Sequence, residues 1–99
     1  MSEQWSPKTQ DLSHISLPRE LEGLAEELAR NVHNTWARER LQAGWRSGPR
    51  RSDALKQTPL LVPYEDLPEE EKVYDRITAM NTLRYILAMG YEIRKVSGS

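Results

Sequence analysis

The strongest constraint on this chain is an interruption. Residues 46–63, RSGPRRSDALKQTPLLVP, hold three of the six prolines, at 49, 59 and 63, together with Gly48. Proline removes a backbone donor and is excluded from helix interiors and central strands, so no long regular element crosses this stretch. What remains on either side is two segments with helical periodicity. A link of this length is uncommon in a compact domain unless it carries function or mobility. Its LLVPY end (residues 60–64) is expected to be a buried anchor.

The first segment, PRELEGLAEELARNVHNTWARERLQAG, places apolar residues at 21, 24, 25, 28, 32 and 36. That spacing predicts a helix over about 18–43. Pro18 suits its first turn, where a missing N–H is harmless. Glu20 and Glu22 at the start and Arg38 and Arg40 at the end match the helix dipole, and Gly44 is a C-cap. Gly23 weakens the helix locally by up to ~1 kcal/mol. The second segment opens on Asp66 and Glu69 at capping-box spacing, with Pro68 in its first turn. Val73, Ile77, Met80, Leu83 and Leu87 form its apolar face and Gly90 ends it, which predicts a helix over about 67–89. Glu69, Glu70 and Glu71 are read as solvated partners of the dipole. The expectation is a mostly α fold: two main helices joined by a long irregular loop, with short extended segments towards the termini (HISL at 14–17, YEIRKV at 91–96). It forms one domain over 1–99, ending in a tail at 97–99.

Composition narrows function by exclusion. With 99 residues the core is modest, since a domain of this size buries only roughly 60–65% of its unfolded surface. A partner chain would bury more, and a two-fold homodimer is the commonest arrangement. Net charge is −1, so no global field draws the chain to nucleic acid or to a membrane. There is no Cys, and His14 and His33 lack a metal-binding spacing, so neither a metal nor a cofactor is expected. No apolar run approaches the ~20 residues that span a bilayer. MSEQWSPKTQ has no apolar core and does not read as a signal peptide, which makes a cytoplasmic location the expectation. No phosphate-binding glycine loop, nucleophile elbow or paired-His motif is present, so an enzyme is not expected.

Charge distribution says more than its total. Between 38 and 56 lie Arg38, Arg40, Arg46, Arg50, Arg51 and Lys56 against Glu39 and Asp53, a local +4 that leaves −5 for the remainder. Two of the three Trp, Trp36 and Trp45, fall in or beside this segment. Arginine offers bidentate bonds to phosphate and tryptophan a stacking face, a combination suited to a nucleotide. At ~100° per residue, Trp36 lies at the margin of the stripe made by Leu21, Leu28 and Val32, with His33 and Arg40 beside it. The competing reading is a solvated Arg-rich loop paired with the acids of the second helix, with both Trp in the core. Arg84 falls inside the apolar stripe of the second helix and needs a partner, for which Asp53 or Asp75 is expected.

The series His33, Trp36, Arg40, Gly44, Trp45, then Pro59 with Leu61-Val62-Pro63-Tyr64, the Glu71-Lys72 pair and Leu87-Ala88-Met89-Gly90-Tyr91, resembles the RyR domain. This is the repeat named after ryanodine-receptor calcium-release channels, also found as a single copy in bacteria and their viruses. The resemblance runs over about 5–93. Ser47, Thr58 and Asn81 depart from the family pattern, where Tyr, His and often Glu stand. In the channels the repeat comes in tandem pairs within a cytosolic, non-catalytic module associated with adenine nucleotides. Bacterial versions look like sensors of nucleotide-derived signals in defence systems.

The resemblance and the basic-aromatic segment together imply a non-enzymatic module for a nucleotide or nucleotide-derived ligand. Trp36 would stack on the base, with Trp45 as the second aromatic. Arg40, Arg46, Arg50 and Arg51 would meet phosphates, assisted by Lys56, while His33, Asp53 and Tyr64 would orient groups nearby. The alternative is a protein-interaction module docking through the 46–63 loop.

Overall fold

A computed structural model describes residues 4–96 of the chain, so the 97–99 tail lies outside the described residues. The two helical segments form as expected and pack on one another. The first is divided. Helix α1 spans Arg19–Glu22 and α2 spans Ala25–Gln42, with Gly23 and Leu24 forming a turn between them. The break falls at the glycine, where helix propensity is lowest. Helix α3 spans Glu69–Ala88. A single 3-10 turn, Tyr64–Asp66, leads into it.

Both long helices end in the same device. Gly44 and Gly90 adopt the left-handed φ values of 93° and 96°. After α2, the Gly44 amide donates to the Leu41 carbonyl at 3.1 Å and the Trp45 amide to the Arg40 carbonyl at 2.9 Å. After α3, Gly90 donates to Leu87 at 3.0 Å and Tyr91 to Ile86 at 3.4 Å. These are Schellman closures, which only glycine enters at low strain. The first turns Trp45 back towards the last turn of α2.

Four expectations are corrected. The capping box does not form: the N-cap of α3 is Pro68, without a side-chain cap. Asp66 is taken up in the 3-10 turn, its amide donating to the Pro63 carbonyl at 2.9 Å, and Glu69 binds Arg76 at 2.9 Å instead. The 46–63 link is not wholly irregular. Strands β1 (Arg46–Ser47) and β2 (Gln57–Thr58) pair in parallel, Arg46 with Gln57 and Ser47 with Thr58. A Ser52–Gln57 antiparallel bridge closes the intervening turn. By contrast YEIRKV forms no strand, because nothing pairs with it among the described residues. Finally, the apolar face of α3 departs from the expected one in its first half, while Met80, Leu83 and Leu87 pack inward as expected. Val73 and Ile77 are exposed, and the buried side runs through Asp75, Ala79 and Met80. Val73 and Ile77 continue the stripe in sequence, but Asp75 and Ala79 take the inward side in their place.

The core is thin. One cluster joins Leu17, Ala79 and Met80, flanked by Leu21, Leu28 and Val32 from the first helical segment and Leu83 and Leu87 from α3. A second joins Ala29, Tyr64 and Leu67 with Leu60 and Val62, so LLVPY is an anchor as expected. The radius of gyration is 17.0 Å, against about 13 Å for a compact chain of this length.

Candidate functional site

Between α2, the β1–β2 link and the first turns of α3 lies a cavity of about 460 Å³. Its size falls within the range of small-molecule sites, roughly 300–1,000 Å³. Five of the ten residues singled out from sequence line it: His33, Trp36, Arg40, Trp45 and Arg51. Thr58, Pro59, Leu60 and Leu67 complete one side, and Glu71, Tyr74 and Asp75 come from α3.

The aromatic end is built from successive turns of α2. His33 is 5% exposed, and its ring stacks on Trp36 with centroids 5.7 Å apart and planes at 27°. Its Nε2 lies 2.7 Å from the Val62 carbonyl. A carbonyl only accepts, so Nε2 carries a proton. One turn on, Arg40 places its guanidinium 5.8 Å from the Trp36 ring centre and 5.5 Å from that of Trp45. The Schellman turn after α2 makes this possible, since it brings Trp45 beside Arg40. Arg51 covers Trp45 at 5.6 Å while its Nε donates to Asp53 at 2.9 Å. Arg40 has no carboxylate within ion-pair range among the described residues.

The remaining five predicted residues sit elsewhere. Arg46 donates to the Trp45 and Leu41 carbonyls at 2.7 and 3.3 Å, covering the end of α2. Lys56, itself at φ 53°, reaches the Ala43 carbonyl at 3.0 Å and serves the same helix end. Arg50 is exposed and away from the cavity wall. Asp53 holds Arg51. Tyr64 lies behind His33, with centroids 6.4 Å apart, and is buried. Its hydroxyl donates to Glu26 at 3.3 Å, and burial pushes its pKa up. Glu26 in turn accepts from Arg76, which holds its carboxyl below the usual range. Arg84 finds neither Asp53 nor Asp75; its closest polar partner is the Asn81 amide oxygen at 3.4 Å.

The α3 side of the cavity was missed. Glu71, Tyr74 and Asp75 are spaced i, i+3, i+4, so they share one helix face. That spacing is legible in the sequence, but the expectation there was Glu71 as a solvated dipole partner and Asp75 as a candidate partner of Arg84. Instead Glu71 is half-buried and Asp75 is 9% exposed. Burial pushes the Asp75 carboxyl above its ordinary value, with His33 opposing the shift. No three His, Asp or Glu side chains gather into a metal site among the described residues.

Residues 5–95 match the family model described as the RyR domain. The chain belongs to the RyR domain family. The match spans nearly all the described structure, so the RyR domain here comprises both long helices, the link and the cavity together. No helix among the described residues of this RyR domain is long and apolar enough to cross a membrane.

Proposed function

We propose that this RyR domain is a non-enzymatic binding module for a nucleotide or a nucleotide-derived signal of the adenine-nucleotide or ADP-ribose type. It would act in the cytoplasm as a sensor or by sequestering the signal, in the manner that the resemblance to bacterial and phage relatives implies. The observation that carries this reading is Arg40, shared between the faces of Trp36 and Trp45 on the cavity wall and lacking a carboxylate partner. A stacked base displaces little, because indole and guanidinium faces both accept a second π surface. Phosphate then meets Arg40 and Arg51 with charge-assisted bonds. Stacking contributes ~1–3 kcal/mol per base, and with those bonds the affinity reaches the micromolar range. Calorimetric titration with ATP, ADP, ADP-ribose and cyclic nucleotides at modest salt tests it. Heat and a thermal shift with at least one are expected; neither with any of them removes this reading.

The runner-up, docking of a protein partner through the 46–63 link, is favoured by Leu55, which stands 69% exposed in that link. A self-paired form is supported separately. Ile77, Tyr85 and Met89 are more than two-fifths exposed along α3, and a second copy would cover them. Sedimentation velocity with and without nucleotide checks this: a strict monomer well above micromolar concentration rules the pair out.

A further inference from the structure

The cavity wall carries side chains of both charges, and the proposed function uses only one of them. Arg40 and Arg51 stand with the two Trp. Glu71 and Asp75, one helical turn apart on α3, supply carboxylates to the same cavity. Asp75 is the unusual one. It is more than nine-tenths buried, lies within the field of His33, and has neither an ion-pair nor a hydrogen-bond partner among the described residues. A carboxyl in that state is a burden on stability unless something reaches it. Among the described residues no buried side-chain oxygen or nitrogen is both sealed from solvent and unbonded, so the Asp75 oxygens keep an opening. The cavity that Asp75 lines is where a ligand would meet them.

We propose that Asp75 is the specificity-determining residue of this cavity, its carboxylate accepting hydrogen bonds from an amino group on the ring of the bound nucleotide. The inference rests on the nucleotide reading and adds to it which part of the ligand is read. Charge sets the orientation. Phosphate is drawn to Arg40 and Arg51 and repelled by Glu71 and Asp75, so the ring rather than the phosphate is turned towards the acids. His33 cannot swing away to make room for another pose, since Val62 holds its Nε2. A ring stacked on Trp36 therefore presents its far edge beyond His33, towards Asp75. An ionised carboxylate only accepts, so it rewards an N–H and gives nothing to a bare ring carbon or a carbonyl. Amino-bearing rings are selected over rings that lack the group.

The test uses ATP and its 6-deamino analogue, purine riboside triphosphate, titrated into the full chain by calorimetry. A hydrogen bond to a charged group discriminates by about ten- to a hundredfold, and ATP is expected to bind tighter by that ratio. In Asp75→Leu the ratio falls to near one, while the analogue binds about as before. Asp75→Asn keeps an accepting oxygen without the charge and restores part of the preference. That graded recovery is an outcome a purely structural role would not produce. Removing an unpartnered carboxyl also raises the melting temperature of both variants, so loss of the fold is not the expected confounder. Equal affinity of the two ligands for the wild type overturns the role of Asp75 alone. So does a ratio that Asp75→Leu leaves unchanged, or a preference for ATP over 2′-deoxy-ATP that vanishes in its place, which would assign the carboxylate to the sugar. Absence of binding by either ligand overturns the nucleotide reading and this inference together.

Discussion

Two aromatic neighbourhoods flank His33, and they differ in how their charges are answered. Around Tyr64 each guanidinium and the Glu26 and Glu65 carboxylates have a partner, and Lys72 alone meets only the ring. Arg30 and Lys72 cover its ring at 5.4 and 5.7 Å, Arg30 pairs with Glu65 at 2.8 Å, and the hydroxyl meets a Glu26 carboxylate that Arg76 also holds. Arg76 reaches on to Glu69. Around Trp36 the cation and the acid stay apart. Among the described residues Arg40 has ring faces but no carboxylate, and Asp75 has a place in the wall but no donor. A network that satisfies itself ties α2, the 3-10 turn and α3 together. One left open at both ends suits a ligand that brings an anion and a donor.

The comparison breaks most sharply with Tyr64→Ala. Deleting a buried aromatic ring costs about 3–5 kcal/mol, enough to unfold a domain with so thin a core. Thermal or urea unfolding reads it. Trp36→Ala is expected to behave in the opposite way. Trp36 is only half-buried, so the melting temperature falls by much less than for Tyr64→Ala, whereas nucleotide affinity drops by about 1–3 kcal/mol. A melting loss as large as that of Tyr64→Ala would place Trp36 in the core rather than on the binding face.

Gly44→Ala tests how the open neighbourhood is held together. A Cβ at φ 93° meets no close atom, the nearest being Lys56 Cδ at 3.9 Å, so the penalty is backbone strain of about 1–2 kcal/mol. Relief of that strain moves Trp45 off Arg40, and binding weakens along with stability.

Smaller and pH-dependent is Asp75→Asn. Burial raises the Asp75 carboxyl above its ordinary value, so between the ordinary and the raised value the folded state holds a proton that the unfolded state has released. Wild-type stability is therefore penalised at neutral pH, and the penalty fades as pH falls through the raised value. Asp75→Asn is expected to melt higher than wild type at pH 7 and to lose that advantage on acidification. A difference independent of pH would mean that the carboxyl titrates normally. Least of all, Glu65→Gln removes an exposed ion pair and should leave the melting curve unchanged, since such pairs contribute little in water.

Much of the fold was legible because it rests on local rules. Periodicity placed α3 and the end of α2 to within two residues but ran the first helix through the break at Gly23, and Gly44 and Gly90 marked the helix ends through a backbone conformation that few other residues tolerate. The cluster of Arg near Trp36 and Trp45 pointed to the aromatic end of the cavity, since residues one turn apart on a helix are neighbours by geometry alone. Other features depend on what lies across the gap. Arg46 and Lys56 looked like phosphate ligands by composition, yet the free carbonyls at the end of α2 claim them. Tyr64 looked like a ligand contact and is instead packed beneath His33. The stripe pointed to Val73 and Ile77 as the inward side of the first half of α3, and packing on α2 decided otherwise. That choice buries Asp75 and faces Glu71 into the cavity. Sequence alone determined the helices, their ends and the +4 segment. Only the tertiary structure decided which charges neutralise one another and which are left open, because pairing depends on distances across elements that lie far apart in the chain.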